Sequence, residues 1–501
     1  MYSIAQTEAL TGLPQLGDGS EIASSAERRL GDRIARELYR DPDYIDDPVL
    51  ADYVQSIWQP LRAAAKTRGE LSPELDARFA WRIVLGRDRS VNAFALPGGY
   101  LGLHLGLLAV VSSKDELASV LAHELSHVTQ RHIARLTSKA SQQSPWMIGA
   151  MILGVLAASK NPDAGNAVIV GGQAIAAQNQ LNFSRDMERE ADRVGLSLMA
   201  QAGFEAQGFV TMFDKLQQAS RLNDSTSYPY LRSHPLTTER VADMQSRLPL
   251  GATLPEVITP TLPHALLSAR ARVLSNSGVD ALRTWATQSD DPALGRQSLA
   301  NQAGVLYGAA LAASHLRESA LARKQFQRLQ HIAMPDPQAA LLLRWLGVEI
   351  ELRAVDLSTQ QLLSMAQTLA IDHPGYIKPR RPALLLQAEV ALLTGQASVL
   401  TASAQQLQSW VNAEPLDALA WEWLARTYAA QGENLRSLRA EAESRMALLD
   451  YTGALDRLNA APARAPGRTD NVSRAEHIEA SIIDTRRRQI EVLLKEQALE
   501  R

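Results

Sequence analysis

No cysteine occurs anywhere in the 501 residues. That excludes structural disulfides, a thiol nucleophile and Cys-ligated zinc, and leaves histidines and carboxylates as the side chains able to hold a metal. A chain without thiols suits an oxidising compartment, but cytosolic chains can lack them too. A net excess of charge is also missing: the formal net charge is -3, which argues against a basic nucleic-acid binder or a strongly charged membrane-surface protein. Long hydrophobic runs are missing. The longest, Trp146 to Ala158, has 13 residues, short of the ~20 that a spanning helix needs. The first residues lack a basic start followed by an apolar stretch, so the reading is either a protein that is not exported or a mature form.

What is present reads as a soluble globular protein of two or three domains, with 46% hydrophobic and 21% charged residues. Residues 1–75 form an N-terminal helical segment, amphipathic in Ala26–Leu38 and Val49–Lys66, expected to pack on the region that follows. Residues 76–250 are mixed and hold the candidate chemistry. Residues 251–263 form the core of a linker that carries prolines at 249, 255, 260 and 263. Residues 264–501, rich in Ala, Leu, Gln and Arg, read as successive helices forming a separable array. Within it Leu385, Ala388, Leu392 and Gly395 are echoed by Trp421, Leu424, Tyr428 and Gly432, with Pro415 between the two units. The offset is similar to that of the tetratricopeptide repeat, whose stacked helix pairs form curved protein-binding surfaces. An irregular bundle would share the composition without the concave face.

Ser113-Lys-Asp-Glu116 has the form of a capping box and marks the start of a helix. On that helix lies His123-Glu-Leu-Ser-His127. At 3.6 residues per turn the two histidines project from one face and can grip one metal ion, while Glu124 reaches a metal-bound water without ligating. A third ligand is available on a second helical stretch, Ser184 to Asp192, where Glu188 and Asp192 share a face. Glu188 completes a His-His-Glu set, and Asp192 can accept the spare N–H of a ligand histidine. Glu190 and Asp186 read as residues of a solvated helix, and His132 and His104 as ordinary surface or core residues. That second helix should stop at Gly203. Upstream, Val91–Ala95 and Tyr100–Leu103 can pair around Pro97-Gly-Gly99, a hairpin whose edge would hold an extended substrate or merely make a turn. The apolar stretches Trp146–Ala158 and Ala167–Ala177 read as buried or partner-covered helices, with a mobile flap or membrane-facing surface as the other reading.

These motifs, together with Ser233-His234-Pro235, Leu13-Pro-Gln-Leu and Asn92 to Tyr100, closely resemble the HtpX and CAAX-prenyl-protease superfamily of HExxH zinc peptidases. The nearest branch is the soluble one with a C-terminal tetratricopeptide domain. The resemblance implies an α+β, mostly α fold: a zincin-type peptidase domain with a small β-sheet, then an all-α tetratricopeptide-like solenoid. It implies one Zn2+ per chain on His123, His127 and Glu188, with Glu124 as general base and Asp192 behind the ligands. His234 or Arg240 would donate to the oxyanion, or His234 would plug the metal. It further implies a periplasmic place in the Gram-negative envelope, protein substrates, and assembly and quality control of outer-membrane β-barrel proteins, reached through the repeat domain. No nucleic-acid partner is implied, and membrane association would be peripheral. A scaffold or chaperone with latent proteolysis is the alternative. An intramembrane peptidase is disfavoured by the missing spans.

Overall fold

The two N-terminal amphipathic stretches are helices, α1 (Ser24–Arg40) and α2 (Pro48–Thr67). Asp47 starts α2 by accepting from Leu50 N at 2.9 Å, with Pro48 at the first helical position. Helix α2 then buries Val49, Tyr53, Val54, Ile57, Trp58 and Leu61, one stripe at helical spacing. This computed structural model describes residues 23–139, 184–221, 228–248, 260–332, 336–354, 357–370, 380–461 and 474–499. The apolar stretches in 146–177, the Leu13–Leu16 motif and most of 248–263 lie outside the described residues.

After α3 (Pro73–Arg78) come three strands, β1 (Arg82–Gly86), β2 (Ala93–Leu96) and β3 (Tyr100–His104). The expected hairpin is there: β2 pairs antiparallel with β3, Ala95 opposite Leu101 and Phe94 opposite Gly102. Its turn uses Gly98 at φ 70°, where a Cβ would also stand 2.7 Å from Arg28 Cα on α1. The apolar run Ile83–Leu85 lies in β1, which pairs parallel with β3 from the other side, so β3 is central and β2 an edge.

The peptidase region continues with α4 (Leu105–Val110), α5 (Lys114–Thr129), α6 (His132–Lys139), α7 (Arg185–Ala202), α8 (Gln207–Arg221), α9 (Tyr230–Ser233) and α10 (Thr238–Ser246). Ser113 Oγ accepts from Glu116 N at 3.1 Å as a capping box requires. The Glu116 carboxylate reaches one residue further back than expected, to Ser112 N at 2.6 Å, and also takes Lys215 Nζ at 2.6 Å. Helix α5 is buried all round from Glu116 to Thr129, held between α2, α7, α8 and β2. Helix α7 closes on it at Gly195, where a Cβ would meet Ala122 C and His123 N at 3.2 Å. A Cβ there would ask these atoms to give by a few tenths of an ångström, so the two helices meet about as closely as a glycine allows. As expected, α7 ends at Gly203 in the left-handed conformation, φ 81°.

Beyond the prolines the described chain is helical: α11 (Leu262–Ser275), α12 (Val279–Thr287), α13 (Leu299–His315), α14 (Ser319–Gln330), α15 (Pro337–Leu352), α16 (Thr359–Ala370), α17 (Arg381–Thr394), α18 (Ala397–Ala413), α19 (Ala418–Ala430), α20 (Asn434–Ala447), α21 (Tyr451–Asn459) and α22 (Arg474–Leu499). Leu385 and Ala388 on α17 and Trp421 and Leu424 on α19 are the buried, repeated positions. Gly395 (φ 63°) and Gly432 (φ 77°) terminate the two helices. The expected α+β, mostly α architecture is present, a domain with a small sheet followed by helices.

The array packs more tightly on the peptidase than a separable one would. Helix α11 starts at Leu262, inside the stretch read as linker, and packs on α4 and α2. A single buried cluster runs from Val49 through α5 to Val390. Three carboxylates at the start of α2 hold arginines of the array: Asp47 with Arg270 at 2.7 Å, Asp46 with Arg381 at 2.6 Å and Asp52 with Arg380 at 2.9 Å. The far end returns to α1, where Arg36 Nε donates to Leu449 O at 3.0 Å.

Candidate metal centre

The helical spacing of α5 does what the sequence suggests. The Nε2 atoms of His123 and His127 face each other at 2.9 Å, on buried side chains. Helix α7 brings Glu188 to them, with Oε2 3.5 Å from His123 Nε2 and Oε1 3.4 Å from His127 Nε2. His234, just past the one-turn helix α9, supplies a fourth donor atom: its Nδ1 lies 3.2 Å from His123 Nε2 and 3.0 Å from Glu188 Oε1. Its ring is fixed by stacking on Tyr230, centroids 4.6 Å apart. One atom from each of the four residues falls within 4.8 Å of all the others, and all four residues are buried.

Such a cluster could hold a shared cation. Donors about 2.1 Å from one tetrahedral ion stand about 3.4 Å apart, close to the spacings seen. Burial alone would lower the His123 pKa, yet Glu188 and Asp192 hold it up at about 10. Burial would likewise raise Glu188, yet His234 and His123 hold it well below the usual carboxylate range. Burial keeps His127 well below its ordinary value, so it offers a lone pair. The residues fit a metal ion, and His123, His127, Glu188 and His234 are the ones that could hold it.

Glu124 is buried beside this cluster. Its Oε2 accepts from Ala95 N on the edge strand at 2.8 Å, which fixes the carboxylate. Among the described residues its Oε1 has no hydrogen-bond partner, and it lies 3.4 Å from His234 Nε2. The arrangement leaves one oxygen anchored and one able to handle a proton.

Asp192 Oδ1 lies 2.9 Å from His123 Nδ1, the nitrogen away from the cluster. Behind it sits Arg240 on α10, forked onto both Asp192 oxygens at 2.7 and 2.8 Å. Arg240 Nη1 also reaches Glu188 Oε2 at 2.7 Å and donates to Pro235 O at 2.9 Å. An oxyanion donor was one reading of Arg240. Its donors are instead committed to holding Asp192, Glu188 and the backbone that follows His234. Sequence spacing could not reveal this, because the partners lie 48 and 52 residues upstream.

Two other residues were missed outright. His132 Nδ1 lies 2.9 Å from His127 Nδ1, and His132 Nε2 lies 3.0 Å from Glu190 Oε2. The sequence reads Glu190 as a solvated helix residue and His132 as an ordinary surface or core one; the buried position of His132 fits a core residue, but its contact with His127 is not in that reading. The one available signal was His132 itself, following closely on a ligand histidine.

Residues 52–248 match the family model described as peptidase family M48. The chain is 29% identical over 443 residues to the beta-barrel assembly-enhancing protease of Escherichia coli K12, covering 86% of this chain and 83% of that one. A Vibrio cholerae protein provisionally given the same name is 37% identical over 282 residues, 56% of this chain and 55% of that relative's length. The mitochondrial metalloendopeptidase OMA1 of Saccharomyces cerevisiae is 29% identical over 201 residues, 39% of this chain and 55% of that one. The matched stretch contains every residue of the four-donor cluster, and with it Glu124, Asp192 and Arg240. The chain carries a peptidase family M48 domain and is a metalloendopeptidase.

Proposed function

We propose that the metal is one zinc ion held by His123, His127 and Glu188, and that the enzyme cuts misfolded or stalled polypeptides. The observation that carries this reading is the buried convergence of those donors with Glu124 alongside. Two imidazoles and a carboxylate suit zinc. When bound, zinc supplies Lewis acidity and lowers the pKa of a water toward 7. Glu124, anchored through Oε2, takes the proton of the attacking water on Oε1 and passes it to the leaving nitrogen. The substrate lies extended along the free edge of β2, beside Ala95, whose N–H already points at Glu124.

His234 in its present position makes a resting state, filling the fourth position that water needs. Swung away, the same imidazole is within reach of the oxyanion. The helical region acts as a tetratricopeptide-like solenoid that recruits substrates or docks the enzyme on an assembly. The setting is the periplasm of a Gram-negative envelope and the substrates include outer-membrane β-barrel proteins, a reading supported by the sequence resemblance and by the name of the Escherichia coli relative, a beta-barrel assembly-enhancing protease. No helix among the described residues is long and apolar enough to cross a membrane.

Metal analysis with X-ray absorption tests the site. The resting protein should hold about one zinc with three imidazole nitrogens, and His234→Ala should keep zinc with two. His123→Ala or Glu188→Ala should lose most of the metal. Full zinc binding by both would overturn the ligand set. Capture of envelope proteins by Glu124→Gln tests the setting, and recovery of no outer-membrane protein would contradict it.

A further inference from the structure

The two ligand histidines are backed differently, and the second backing depends on an unusual piece of chain. Helix α5 stops at Thr129 and α6 starts at His132. Between them Arg131 sits at φ 53°, a conformation that L side chains rarely adopt. Its guanidinium is tied to Glu27 of α1, with Nε and Nη2 each 3.2 Å from Oε2 of a carboxylate that is itself buried. In a continued helix, His132 would point well away from His127, five residues earlier. The left-handed turn instead folds His132 back, so that the Nδ1 atoms of the two rings stand 2.9 Å apart.

The proton arrangement in this chain has one consistent direction. Glu190 Oε2 is also held by Arg135 Nη1 at 2.9 Å, so it is an acceptor only. His132 must then donate from Nε2, which leaves its Nδ1 as an acceptor. His127 must donate from Nδ1, which leaves its Nε2 with a lone pair directed into the donor cluster. That is the tautomer a metal ligand needs.

We propose that His132, anchored by Glu190 and turned into place by Arg131, is a positioning residue that fixes the tautomer and ring orientation of His127. The inference rests on the reading of His127 as a metal ligand. It gives the second histidine a relay of imidazole and carboxylate where the first has a carboxylate alone.

The test is the zinc dissociation constant of the full-length protein, measured by competition with a chromophoric chelator, alongside the Tm of the metal-free form. His132→Ala should weaken zinc binding about 10–100-fold. His132→Asn keeps an acceptor oxygen close to where Nδ1 stands and should recover most of that loss. Glu190→Leu, which leaves His132 in place but unanchored, should fall between the two. A purely structural role would lower the Tm of the metal-free protein in all three and leave no rescue by Asn. Zinc affinity within twofold of wild type for both His132→Ala and Glu190→Leu would overturn the proposal. Should His132→Ala not fold, the comparison of His132→Asn with Glu190→Leu still decides it. If wild type itself binds no zinc, or binds it equally well without His127, the site reading fails instead.

Discussion

The two sides of the donor cluster solve the same problem in media of different polarity. On the inner side His123 is backed by Asp192 and Arg240, whose side chains are 1% and 4% exposed. On the outer side His127 is backed by His132, and beyond it by Glu190 and Arg135, each 38% exposed. Both sides end in an arginine–carboxylate pair at 2.7–2.9 Å, so the geometry is alike. The energetics are not. A buried pair is strongly destabilising to break, because the survivor is left as an uncompensated charge, whereas a solvent-facing pair contributes little. The inner side should therefore carry folding and metal binding together, and the outer side metal binding alone.

The largest effect expected is from Arg240→Ala, which leaves buried Asp192 with His123 but without its counter-charge and removes a contact to Glu188. A loss of about 3–5 kcal/mol in unfolding free energy should follow, read by urea denaturation of the metal-free protein. A change below about 1 kcal/mol would break the comparison, since that is the size for a surface pair.

A buried pair away from the site serves as a control. Burial alone would raise the Asp47 pKa, yet Arg270 and the Leu50 amide hold it below its ordinary value. A carboxyl lowered on folding stabilises the protein above its unfolded value of about 3.9, and the contribution is lost as pH falls through the lowered folded value. Asp47→Asn should cost about 1–3 kcal/mol at pH 7, less than Arg240→Ala because Arg270 keeps Glu349 at 2.8 Å. The difference from wild type should shrink as the pH is taken below about 4. A gap that widens there would have the wrong sign.

Asp192→Asn keeps the shape but removes the charge behind His123, and zinc affinity should drop about 10–100-fold. Unchanged affinity would make Asp192 a structural partner of Arg240 only. The smallest effect belongs to Arg135→Ala, about 0–1 kcal/mol in stability and fading with added salt, because the pair faces water. A salt-independent loss as large as that of Arg240→Ala would erase the distinction between the two sides.

What could be read in advance follows the same division. His123, Glu124, His127 and the pair Glu188 and Asp192 were legible because they depend only on the pitch of a helix. Ser113, Gly203 and the Pro97–Gly99 turn were legible because their residue types suit one backbone geometry. The outer backing was not. It hinges on Arg131 taking a left-handed conformation that its residue type disfavours, held there by Glu27 from 104 residues away. Arg240 was legible as a candidate but not in its role, which needs α10 to lie against α7. The return of the array onto α1 was hidden for a related reason. Arg36 meets a backbone carbonyl at Leu449, and a carbonyl has no residue type to read.

Everything above turns on Glu124 performing the proton transfer in a metal-dependent peptide hydrolysis. Cleavage of casein by wild type and by Glu124→Gln, at matched zinc content and with and without chelator, tests it most directly. Wild type should show chelator-sensitive cleavage, and Glu124→Gln should retain zinc and lose hydrolysis. Wild-type cleavage rates from zinc-loaded Glu124→Gln would contradict it.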